Sequence, residues 1–302
     1  MRAGQRRRIL PIALLLFLAG TPPELGAGPE ETGELGLFQL IARADLVVHV
    51  KIIEGSLKYA MVEVLDPIKG EPPAPRLRIA FRDLNWRRPA GVEPIVFPSG
   101  QEEILFLTPF RQARPKPKNR DLYELFHGAE GRLPLPAEGA AATVGAVKQL
   151  ASLTAIDPVS QTDGLWTLAI GENPRLQEAA LDELLRLRAS GARRLPFLVG
   201  LLRNPAPGLR SRCLRLVGQS FASGALLQGE VAPDDLRSAL ESVLERARND
   251  PDETVRVAAV AAVAIWPQRS DVEGDLRAIA AQDPAQMVRY EAERALLSKR
   301  LR

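Results

Sequence analysis

The stretch Asp250-Pro251-Asp252-Glu253-Thr254-Val255-Arg256-Val257-Ala258-Ala259 constrains the fold most, because the chain repeats its pattern. Asp283-Pro284 opens a second copy, with Val288-Arg289 and Ala292 in register. Asn204-Pro205 opens a third, with Leu209-Arg210 and Cys213, and Asn173-Pro174 a shorter fourth, with Leu176-Gln177 and Ala180. Gln177 and Arg210 stand as far apart as Arg256 and Arg289. The wider middle interval holds Phe221–Pro233, rich in Gly, Ser and Ala, which reads as an inserted loop. Self-similarity at a fixed period marks a repeat array.

Each copy reads as the start of a helix. Asp or Asn before Pro fits an N-cap followed by Pro at the first helical position, where the missing N–H costs nothing. Asp252 and Glu253 add negative charge at the positive end of the helix dipole. Val255, Ala259, Ala262 and Val263 share one helical face, and Val288, Ala292, Ala295 and Leu296 repeat it. A second helix is expected before each copy, over 192–202, 234–248 and 271–281, with Asp163–Ile170 before the first. Helix pairs of this length bury too little alone, so they stack. Val255–Trp266 is apolar nearly all round, with Arg256 its only charge. Its second face, Val257, Val260, Ala261 and Ala264, is either a shallow concave patch for a partner or a second copy, or small residues buried by curvature.

These copies resemble the HEAT repeat family of paired-helix solenoids, over about 160–302. In that family an Asp in the turn and an Arg six residues on form a hydrogen-bond ladder along the array. The resemblance implies that Asp250 pairs with Arg256 and Asp283 with Arg289, with Asn204 and Arg210 as a neutral variant.

Residues 1–27 read as a signal peptide. Arg2 and Arg6-Arg7-Arg8 make a basic start, Ile9–Gly20 an apolar run, and Leu25-Gly26-Ala27 a small residue for cleavage. The run is too short to span a bilayer comfortably, so no stable membrane anchor is expected after cleavage. The whole chain holds 40 Lys+Arg against 37 Asp+Glu. The excess lies mostly in the leader, which leaves a near-neutral protein with no case for nucleic-acid binding. A single cysteine, Cys213, excludes a disulfide scaffold. Ala fills its place in the other copies, so a small buried thiol is expected rather than a nucleophile.

The texture changes near Gly139. Before it, a short helix is expected at Leu35–Ala42, and strands at Asp45–Glu54, Leu57–Leu65, Arg76–Phe81, Glu102–Thr108 and Leu122–Phe126. That number of short antiparallel strands implies a small barrel. The order ADLVV, VEVLDPIKG, GQEEILFL resembles the OB-like barrel of the netrin-module and tissue-inhibitor-of-metalloproteinase superfamily, in a cysteine-free exported form. Protease inhibition, which rests on an N-terminal Cys in the animal inhibitors, does not carry over. Ala140–Ala155 is helix-prone and bridges barrel and array.

The reading is therefore an α+β chain. A signal peptide (1–27) precedes an OB-like β-barrel (28–139), a bridging helix (140–160) and about four HEAT-like helical repeats (161–302). Two histidines, no Cys pair and no clustered Asp argue against a metal site, and no catalytic constellation or cofactor motif is present. The function this implies is an exported, periplasmic or extracellular, non-enzymatic scaffold that binds protein partners, with self-association open to it. A lyase or hydrolase accessory role has no residues to carry it. Two loops bear on binding. Arg82–Gly100 carries Trp86, Arg87 and Arg88, residue types of binding hot spots, unless Trp86 folds back onto the barrel. Arg111–Arg120 is basic and either solvated or a contact for an anionic envelope polymer, the alternative function. If the leader is a signal, N-terminal sequencing of exported protein finds a start near Gly28, and a start at Met1 or Arg2 overturns it.

Overall fold

Alternation in one strand sets the first half of the fold. In the computed structural model, which describes residues 35–81, 84–85, 93–110, 122–189, 191–222, 231–266, 270 and 272–297, strand β1 (Leu46–Gly55) aims Val48, Val50 and Ile52 into one core cluster and Val47 into another. It pairs antiparallel with β2 (Tyr59–Lys69) on one side and β4 (Glu102–Pro109) on the other. β2 pairs with β3 (Arg76–Ala80), β3 runs parallel to β5 (Leu122–Leu125), and β5 returns to β4. Five strands thus close into a barrel, consistent with the OB-like expectation, and β6 (Arg132–Pro134) continues along the β4 edge beyond β5. At Gly55 an added Cβ would stand 2.1 Å from the Phe97 carbonyl oxygen, so the hairpin end admits only glycine. Leu77, Ile79, Leu105 and Leu107 fill the interior beneath the tilted Phe81–Phe97 pair.

One barrel-facing position is charged. Glu103 is fully buried, and Arg132 grips its carboxylate through Nε at 2.9 Å and Nη2 at 2.5 Å. The guanidinium also lies 4.0 Å over the Phe97 ring, so the pair is both neutralised and roofed.

β4 is buried on both faces, and that joins the barrel to the helices. Ile104 and Phe106, opposite Leu105 and Leu107, share a cluster with α1 (Leu37–Arg43), α2 (Ala140–Leu153) and the helices beyond. The bridging helix expected over 140–155 is α2, with Val147 and Leu150 fully buried. Lys69, at the end of β2, donates to the carbonyl oxygens of Ile41, Ala42 and Ala44, each at 2.8 Å, and so caps the negative end of α1. On its other side α1 reaches the helical half, where Gln39 Nε2 donates to buried Glu183 at 2.8 Å.

The helices follow as pairs: α3 (Pro158–Ile170) with α4 (Pro174–Arg186), α5 (Leu195–Leu201) with α6 (Pro207–Ala222), α7 (Pro233–Asn249) with α8 (Glu253–Ala264), and α9 (Glu273–Gln282) with α10 (Gln286–Leu297). The second members pack in succession, α4 on α6, α6 on α8, α8 on α10. Their starts differ from expectation. Of the four copies Asn173-Pro174 alone is an N-cap and first residue; Asp157-Pro158, outside the repeated pattern, is another. Asp250 and Asp283 are instead the C-cap residues of α7 and α9, and Asn204 lies in the turn after α5. Each accepts a hydrogen bond from the N–H two residues on, with Pro between, and the helix starts later; Asp252 is the true N-cap of α8.

The buried ion pair gives a test. Glu103→Ala, which leaves Arg132 with no counter-charge, should lower stability by about 3–5 kcal/mol in denaturant titration. Glu103→Leu with Arg132→Met should recover most of that. A single variant with an unshifted midpoint would show that the barrel does not depend on the pair.

Candidate interaction surface of the helical layers

A ladder runs along the stacked turns, and its pairing differs from the one expected. Arg210 does not pair with the Asn204 side chain; its Nε and Nη2 grip the carboxylate of Asp250 at 2.8 and 2.7 Å, one repeat on. Arg256 likewise holds Asp283, at 2.9 and 3.2 Å, rather than the Asp250 carboxylate. The residue six back in each copy supplies a backbone carbonyl instead: Nη1 donates to Asn204 O from Arg210, to Asp250 O from Arg256 and to Asp283 O from Arg289. Gln177 does the same to Gly171 O, so the first copy is full-length and its rung position is Gly171. The reason is geometric: the guanidinium fork has donors on two edges, and one is spent on its own turn before the other reaches the next.

The rungs are buried and charged. Side-chain exposure is 8% for Arg210 against 0% for Asp250, and 10% for Arg256 against 4% for Asp283. Burial pushes the Asp250 carboxyl up, but the Arg210 fork, the Asp252 N–H and Arg246 together outweigh it and hold it below the usual range. Arg289, at the last rung, donates to Asp283 O and Pro284 O and has no carboxylate partner among the described residues.

Beside the ladder, α4, α6 and α8 line a groove of about 510 Å³. Leu185, Leu214, Gly218, Ala258, Ala261 and Ile265 form its apolar lining, with Arg186 and Arg215 among the residues that border it. Its floor is shallow because the side chains are small: a Cβ at Gly218 would stand 3.2 Å from Ala262 Cα, so α6 and α8 touch nearly backbone to backbone. Of the four α8 residues expected as a patch, Ala261 alone lines this groove. Val260 is fully buried, and Val257 and Ala264 are half-buried against the core, since α10 covers that side. Amphipathic periodicity assigns Leu185 and Leu214 to the core; Leu214 is fully buried, and half-buried Leu185 borders the groove as well. The small residues Gly218, Ala258 and Ala262 were the available signal.

Other candidates resolve simply. Cys213 is buried, and burial pushes its thiol up to about 12, so it is an inert packing group. His49 contacts Glu102 at 3.0 Å and His127 contacts Glu130 at 2.8 Å. Among the described residues no cluster of His, Cys, Asp or Glu could hold a metal ion, and no helix is long and apolar enough to cross a membrane. The leader, Trp86, Arg87, Arg88 and the basic loop 111–120 lie outside the described residues. Comparison with protein-family models, with curated proteins and with solved structures finds no match.

The ladder predicts a graded series. Arg210→Ala and Arg256→Ala, which strand a buried carboxylate, should each cost about 3–5 kcal/mol. Arg289→Ala should cost about 1 kcal/mol, and exposed Arg237→Ala under about 0.5 kcal/mol. Equal denaturant midpoints across the four variants would refute the pairing. Arg246 is no neutral control, because it contacts Asp250 at 3.4 Å. Because the folded Asp250 carboxyl titrates low, its contribution is complete above about pH 5 and fades as pH falls through the folded value. Asp250→Asn should therefore flatten the acid limb of the stability profile, and an unchanged limb would place that dependence elsewhere.

Proposed function

We propose that this protein is an exported, non-enzymatic interaction scaffold in which about four HEAT-like repeats form a solenoid and its inner face holds a partner segment. The observation that carries this is the groove across α4, α6 and α8. It crosses successive repeats, its floor is made of small apolar side chains, and Arg215, exposed on its border, has no partner among the described residues. A solenoid offers such an extended surface without a catalytic pocket. The segment it suits has aliphatic side chains no bulkier than a shallow groove admits, and a carboxylate in reach of Arg215. The barrel, sharing its β4 wall with the helices, is the base on which the array is mounted. The basic leader supports export.

The test uses a photo-crosslinking residue at Ala222, which borders the groove and is exposed. In the exported fraction it should capture a discrete protein partner. Adding Ala261→Glu should abolish capture while the thermal midpoint of the pure protein barely moves. Capture that persists unchanged in that variant would exclude the groove as the binding surface.

A further inference from the structure

The last repeat leaves two kinds of group unmet on one face. Arg289 stands in the register of Arg210 and Arg256, yet its Nε and Nη2, which in those residues close on the next repeat's Asp, meet no carboxylate among the described residues. Beside it on α10 lie Tyr290 and Leu297, 59% and 58% exposed. Their counterparts one repeat earlier, Val257 and Ala264, are half-buried against the core. Glu293, in the register of fully buried Val260, is exposed and has no cation partner among the described residues. An arginine fork without an acid, an acid without a base and two bare apolar side chains therefore share the outer face of α10.

We infer that this face is a self-association surface on which two copies of the chain dock α10 against α10. An isologous contact needs each feature and its complement on one patch, and this patch has them. Antiparallel apposition about Glu293 brings Arg289 of each copy toward Glu293 of the other and packs Tyr290 near Leu297 across the axis. Arg289 then neutralises the two glutamates that would otherwise repel there. Head-to-tail growth fails on the same chemistry. At the opposite end of the stack the rung position is Gly171, which offers no carboxylate, and α4 is already covered by α1, α2 and α3. The complementary groups lie together on the α10 face, so the contact closes a dimer and does not grow a filament. This surface is separate from the groove, and neither depends on the other.

Charge reversal tests it on the full mature chain by sedimentation. The wild type should be a dimer. Glu293→Arg and Arg289→Glu should each weaken self-association at least about tenfold. Mixing the two single variants should restore a dimer, because each then meets its complement, and the double variant should dimerise alone. Arg289 also holds its own turn, so Tyr290→Lys supplies a variant that spares the rung; it too should be monomeric with an unchanged circular dichroism spectrum. A monomeric wild type would make this face a solvated cap. A dimer that survives Glu293→Arg and Tyr290→Lys, or a mixture that stays monomeric, would overturn the surface equally.

Discussion

Arg210 and Arg256 each tie three things together: the carbonyls of their own turn, the carboxylate of the next repeat and the Asx turn built on that carboxylate. The relation of one helix pair to the next is thereby fixed at a point, outside the apolar packing. Packing of Ala and Gly alone would tolerate sliding, since small side chains offer little shape to interlock. A bidentate fork inside a buried site does not slide. The register of α6, α8 and α10 follows from the rungs, and so does the continuity of the groove from α6 to α8; the step from α4 to α6 is tied by Arg212 on Asp182 at 2.6 Å. The energetic cost of burying such a pair is real, which fits a role in setting geometry rather than adding stability.

Much of this was legible in the chain. Repeat spacing located the helix pairs, and alternation in Leu46–Gly55 and Glu102–Pro109 located the barrel walls. What failed was local and has a physical reason. Proline near φ −65° suits both the first turn of a helix and the second position of a β-turn, so Asp-Pro does not say which. Asn173 and Asp250 therefore look alike in sequence and sit in different places. The rung partners differ from the sequence expectation because an arginine can reach both its own turn and the next, and only packing decides which edge meets which. β6, only Arg132-Leu133-Pro134, is too short to show any period, and without it the burial of Glu103 has no cause that a reader of sequence could see. On α8 a helical wheel shows that two faces are apolar, but not that Val260 is fully buried while half-buried Ala261 lines the groove.

The groove owes its form to a lack of volume. Where α6 and α8 approach at Gly218 and Ala262, no side chain is large enough to fill the inner surface, and the longer Leu185 and Ile265 border it. The same substitution of small for large that lets the layers close thus leaves the concavity. Close packing and concavity come from one set of residues, which fits the place of the all-round apolar helix α8 between α6 and α10.

Helix α1 has obligations to both halves. Its carbonyls are held by Lys69, up to 28 residues on, and its Gln39 by Glu183, 144 residues on. Neither partner exists in place until its own half has formed. The Gln39 contact can therefore close only once α4 is in place. In the finished molecule it is a clasp across a seam: one short helix is tied to the end of β2 through Lys69 and to α4 through Gln39, so loosening either half loosens it.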